Sequence, residues 1–127
     1  MSEQSRERLL ATFLRDAFAG CIIALAVLAW LPGDLMTRSI LGGHAEHFIA
    51  YLGTSTVMGL AFQKRPRTAV QCALLISYAA ILEMGQLYCP GRHASFQDFA
   101  FGSSGVVAGG VLLWMARACL AHWLEIN

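Results

Sequence analysis

Four stretches of 16 to 21 residues with almost no charge decide what this chain can become: Ala17 to Pro32, His47 to Phe62, Thr68 to Tyr88 with a single acid at Glu83, and Phe99 to Ala116. At ~1.5 Å rise per residue, ~20 helical residues cross a ~30 Å hydrocarbon core. The first two runs therefore need flanking residues such as Phe13 and Leu14, or Ile40 to Gly43, to reach across. A helical bundle in water would need a polar stripe on each helix, and these runs are apolar on all sides. Composition agrees: 57% of the 127 residues are hydrophobic and 13% charged, against roughly 45–50% and 25% in soluble domains. The expected fold is all-α, an integral membrane bundle of four transmembrane helices in a single domain over 1–127, with spans at about 14–32, 44–63, 68–88 and 98–117.

A formal net charge of +1 leaves no basic field to hold nucleic acid. Of the four cysteines, Cys21, Cys72 and Cys119 lie in apolar surroundings where a thiol behaves as a small hydrophobe, so no disulfide framework is expected. Arg6, Arg8 and Arg15 ahead of an apolar run, with Val27-Leu28-Ala29 resembling a small-x-small site, raise the possibility of a secretory signal. The bulky Trp30 and Pro32 just beyond argue that the segment is a retained span. Met1 to Leu14, with Glu3, Arg6, Glu7 and Arg8 ahead of Leu9, Leu10 and Phe13, reads as an interfacial helical turn leading into it.

Basic residues near span ends stay on the cytoplasmic side. With the N-terminus inside, Arg6, Arg8, Arg15, Lys64, Arg65, Arg67 and Arg117 are cytoplasmic and only Arg38 and Arg92 face out, seven against two. Both termini are therefore expected inside, with outer loops at about Gly33 to Glu46 and Cys89 to Gln97.

Once this topology is drawn, the unusual polar residues gather at the outer face. His47 and Tyr51 are four residues apart and share one helical face, and Glu83 and Gln86 are three apart on another. Ser95 and Asp98 have capping-box spacing at the start of the last span. Gly102, Gly105 and Gly109 continue one stripe from Asp98. Such a stripe is either a helix-packing face or a place where a ligand approaches the backbone. Glu83 is the strongest single signal, because an acid inside a span is costly and needs a partner, with Arg92 and His47 as candidates. A cation beside it would keep it ionised, whereas burial alone would leave it able to donate a proton. The cluster is thus either a salt bridge pinning the spans or the acid–base equipment of a site.

These residues together resemble the VanZ-like family of small bacterial membrane proteins. The pattern reads Pro32, His47-x-x-x-Tyr51, Glu83-x-x-Gln86, Arg92-x-x-Ser95-x-x-Asp98 and Gly102-x-x-Gly105-x-x-x-Gly109, covering about Pro32 to Gly110. Two positions depart from it: Gly102 stands where the family has Asn, and His44 where it often has a basic residue. The resemblance implies a multi-pass protein of the bacterial cytoplasmic (inner) membrane, linked to the cell envelope and, through founding members, to teicoplanin resistance.

Two functional readings follow. In the first, His47, Glu83, Arg92 and Asp98 form a catalytic or binding cluster, and Tyr51, Gln86 and Ser95 hold a lipid-linked or cell-wall-related anionic ligand. Arg92 would take phosphate or carboxylate, Glu83 and His47 would move protons, and Asp98 would orient Arg92 or His47. In the second, the same residues lock the helices of a structural or assembly subunit, and the glycine stripe docks a partner transmembrane protein. Membrane lipids are partners in either case. No cofactor and no metal is expected: His44, His47, Cys89 and His93 share the outer side, but their spacing is loose for a metal site. Trp30, Trp114 and Trp123 read as interface anchors.

Overall fold

A computed structural model describes residues 2–35, 42–63 and 67–126. These residues form helices and no strand: α1 (Glu3–Trp30, 28 residues), α2 (Gly43–Ala61, 19), α3 (Thr68–Gly85, 18) and α4 (Phe96–Ile126, 31), with 3-10 turns at Gly33–Leu35 and Gln86–Tyr88. Arg38, Lys64 and Arg65, three of the charges used for topology, lie outside the described residues.

Helix boundaries follow local chemistry. Ser2 caps α1, its hydroxyl accepting the Ser5 N–H at 3.3 Å, so the helix begins well before position 14 and takes in the charged segment from Glu3 to Arg8. At the other end of the chain α4 runs past 117 to Ile126. His122 and Glu125 therefore ride on a helix with exposed side chains.

The helices run up, down, up and down, as the contacts at each end show. At the upper end the Trp30 indole donates to the Leu82 carbonyl at 3.3 Å, tying the end of α1 to the end of α3. At the lower end Arg117 of α4 donates to the Gly59 carbonyl in the last turn of α2 at 2.7 Å, and Gln71 of α3 donates to the Phe62 carbonyl at 2.8 Å. Phe18 of α1 meets the Phe62 ring edge-on at 5.6 Å, and the Arg15 guanidinium lies 5.9 Å from the same ring. The two arginines expected only to set orientation thus also close the lower end.

Between the ends, Tyr51, Met58, Leu75, Ala79 and Val106 form the core, with Phe18, Ile22 and Leu25 of α1 packed against it. Three helical segments are long and apolar enough to cross a membrane among the described residues: Glu3–Trp30, Thr68–Tyr88 and Phe96–Ile126. Their outward faces are apolar, as at Ile23, Val27, Leu74, Ile81, Val107 and Val111.

The second expected span departs from this pattern, since α2 is not among the three. Its physical reason is shelter. Tyr51, Thr54, Ser55, Met58, Gly59 and Ala61 are all buried, and the hydroxyls are satisfied within protein: Thr54 donates to the Ala50 carbonyl at 2.8 Å and Ser55 crosses to the Val106 carbonyl of α4 at 2.8 Å. A helix held among its neighbours can carry polar side chains that a lipid-facing helix cannot.

The glycine stripe makes that shelter possible. A Cβ at Gly105 would strike the Phe48 carbonyl, and one at Gly109 would lie 2.7 Å from the Leu52 carbonyl. Backbone of α2 occupies the space, so the stripe is an internal packing face between α2 and α4. The docking of a partner span on it is thereby corrected: α2 already fills the place.

Candidate functional site

The upper end is built by two loops that touch backbone to backbone. After α1, the Gly33 N–H donates to the Pro90 carbonyl at 3.2 Å, and a Cβ at Gly33 would strike the Gly91 carbonyl. Gly91 itself has φ +70°, a left-handed turn that L side chains rarely adopt. This close approach swings Arg92 over the end of α1, where one of its terminal nitrogens donates to the Leu28 and Ala29 carbonyls at 2.6 and 3.1 Å. A cation on the last carbonyls satisfies groups that have no partner within the helix and complements its dipole.

The start of α4 is organised by Ser95 and Glu83. The Ser95 hydroxyl accepts the Asp98 N–H at 3.3 Å, giving half of the expected capping box. In a full box the residue at the third position would reach back to the Ser95 N–H. Here that arm comes from another helix: the Ser95 N–H donates to Glu83 Oε1 at 2.6 Å. Asp98 is thereby released toward α2 and accepts from His44 Nδ1 at 2.8 Å. The orienting role expected for Asp98 toward Arg92 or His47 is corrected accordingly, since its carboxylate pairs with His44. The His44 ring is stacked on Phe101 at 5.0 Å.

Below these contacts lies a half-open cavity of about 270 Å³ lined by the ends of α1 and α3, the start of α2 and the loop after α3. Its polar lining is Glu46, His47, Tyr51, Glu83, Gln86 and Arg92, and its apolar wall includes Leu25, Leu28, Ala50 and Leu82. The polar residues lie at two depths. Tyr51, Glu83 and Gln86 are 5%, 8% and 3% exposed, whereas Glu46, His47 and Arg92 are only half-buried. His47 Nδ1 donates to the Gly43 carbonyl at 2.8 Å, an acceptor-only partner that fixes this nitrogen as the protonated one and leaves Nε2 as the ring's other polar atom.

Five residues named from sequence, His47, Tyr51, Glu83, Gln86 and Arg92, therefore converge on one cavity. Ser95 and Asp98 stand beside it as the start of α4, and Ser95 lines a smaller apolar groove of about 250 Å³ on the other side of Glu83, with Met84, Phe96 and Phe99. Gly102 supports the cavity from behind, because a Cβ there would lie 2.9 Å from the Tyr51 ring. Glu46 was assigned to a loop and not to the site; it sits in the first turn of α2. No spacing to another site residue marks it in the sequence. The wall from α1 had no marker in the sequence beyond apolarity. Among the described residues no group of three His, Cys, Asp or Glu is arranged to hold a metal.

No family model, curated protein or solved structure matches the chain.

Proposed function

We propose that the chain is a VanZ-like integral membrane protein of the bacterial inner membrane, with both termini cytoplasmic, whose upper cavity faces outward and binds a lipid-linked or cell-wall-related anionic ligand. The observation that carries this reading is the cavity itself: positions far apart in sequence, picked out by the family-like pattern, line one space with three buried polar side chains at its floor. Such convergence of a few polar groups on a largely apolar hollow is the ordinary form of a ligand site. Three apolar helices support membrane insertion. The seven-to-two distribution of basic residues supports the orientation, and shelter of α2 supports a fourth crossing whose polar residues are hidden from lipid.

In this reading Arg92 supplies fixed positive charge at the half-buried rim while anchoring α1. His47 offers Nε2 for a proton, and Tyr51 and Gln86 hydrogen-bond the ligand. Glu83 is both the floor acid and the cap of α4. Gly102, in place of the family's Asn, gives its room to the Tyr51 ring. The link to glycopeptide (teicoplanin) resistance comes with the family and concerns the envelope as the site of action.

A second reading has its own observation. Glu83, Arg92 and Asp98 each make a contact at a helix terminus, as expected of a structural or assembly subunit without catalysis that works beside a partner transmembrane protein. Envelope phenotype and protein level of Glu83→Gln and Arg92→Ala separate the two. The pocket reading expects normal amounts of Glu83→Gln protein with lost function. Normal function with normal folding in both variants would sink it.

A further inference from the structure

Resting on the pocket reading above, we infer that the ligand's head carries an ammonium group as well as a phosphate, and enters the cavity amine first. The cavity is not a simple anion hole. Two of its six polar lining residues are carboxylates, Glu46 and Glu83, against one guanidinium, Arg92, and one imidazole, His47. A ligand bearing only negative charge would find a partner in Arg92 at the rim, but any negative group carried deeper would meet the buried Glu83 carboxylate at the floor.

Depth sets the order of the groups. The floor is made by Glu83, the Tyr51 hydroxyl and the Gln86 amide, all more than nine-tenths buried. These are acceptors that suit the three N–H bonds of a primary ammonium. Ser95 occupies Glu83 Oε1 from the α4 side, and a carboxylate has a second oxygen and further lone pairs for a cation. The rim holds Arg92 and His47, half-buried and facing the same hollow. Arg92 donates to a phosphate held there, with His47 beside it. An ammonium at the floor and a phosphate at the rim are the two ends of a phosphoethanolamine head, or of an amino-sugar phosphate. In both the hydrocarbon trails from the phosphate side, past Leu25 and Leu28 of α1. The small volume of about 270 Å³ admits such a head and not its tail.

The test uses the full chain purified in detergent and delipidated. Its thermal unfolding is followed while short-chain phosphatidylethanolamine, phosphatidylglycerol, phosphatidic acid or glucosamine phosphate is titrated in. Phosphatidylethanolamine or glucosamine phosphate is expected to bind about tenfold or more tightly than the two amine-free lipids. Whichever of the two binds tighter identifies a phospholipid or a lipid-linked sugar as the source. Glu83→Gln, which keeps an acceptor oxygen for Ser95, is expected to lose that preference while helical content and unfolding without ligand change little. Tyr51→Phe is expected to weaken binding of the amine-bearing heads alone. Phosphatidylglycerol or phosphatidic acid binding as tightly as phosphatidylethanolamine would overturn the inference and leave the pocket reading standing. Absence of stabilisation by any of the four would overturn both.

Discussion

The Glu83 carboxylate accepts the Ser95 N–H at 2.6 Å, so the last turn of α3 caps the first turn of α4. The acid that sequence marks as the most costly residue in the membrane region is therefore also a joint between two helices. Removing its acceptor leaves a part-buried N–H without this partner. Glu83→Ala is expected to destabilise the fold by about 1–3 kcal/mol, whereas Glu83→Gln, which retains an oxygen, costs about 1 kcal/mol or less. Denaturant unfolding in a fixed detergent checks the difference; equal losses for both would remove the capping role.

Packing of α4 on α2 depends on missing side chains. Gly105→Ala drives a Cβ into the Phe48 carbonyl, which is backbone and cannot swing aside, so a loss of about 1–3 kcal/mol is expected. Gly20→Ala, where a Cβ meets nothing within 4 Å, is the matched control. It is expected to be neutral or to stabilise α1 by about 0.5–1 kcal/mol. Melting temperatures of the two variants in the same detergent should move in opposite directions or differ plainly.

His44 and Asp98 pair at 2.8 Å with 49% and 23% of their side-chain surface exposed. Solvent screens such a pair, so a double-mutant cycle with His44→Ala and Asp98→Ala is expected to give a coupling of about 0.2–1 kcal/mol. A coupling several times larger would mean that the pair is shielded by an outer layer bound at this end.

Three crossings and four crossings place the C-terminal helix end on opposite sides. In a cysteine-free background, His93→Cys is expected to react with a membrane-impermeant maleimide in intact cells, and His122→Cys only after permeabilisation. Both positions are exposed. Labelling of His122→Cys in intact cells would overturn the topology of four crossings with both termini inside.

What could be read from sequence, and what could not, divides along a physical line. Local features were legible: the length and all-round apolarity of the runs gave the helices, the Ser95–Asp98 spacing gave half a cap, and Gly102, Gly105 and Gly109 gave a close-packing face. Partners far away in sequence were not. Nothing adjacent to Ser95 announces that Glu83 supplies the second arm of its cap. Arg92 is expected beside an acid, and nothing in the sequence tells that it also donates to carbonyls at the end of α1, since every helix end carries such carbonyls without any sequence mark. Absence of charge groups the second run with the other three, yet α2 carries Thr54, Ser55 and Thr56, and composition cannot say which face of a helix its neighbours cover. The site residues themselves were legible because few polar groups survive in so apolar a chain, and each needs a protein or ligand partner.

On the proposed reading, the upper cavity holds one amphiphilic ligand. Extraction of the chain from its native membrane in mild detergent, followed by native mass spectrometry, tests it most directly against Ala50→Trp, which fills the space from the α2 wall. One retained lipid-linked molecule per wild-type chain is expected, and its loss from Ala50→Trp with the fold intact. Wild-type chains that carry no such molecule, or an Ala50→Trp variant that retains it unchanged, would contradict the claim.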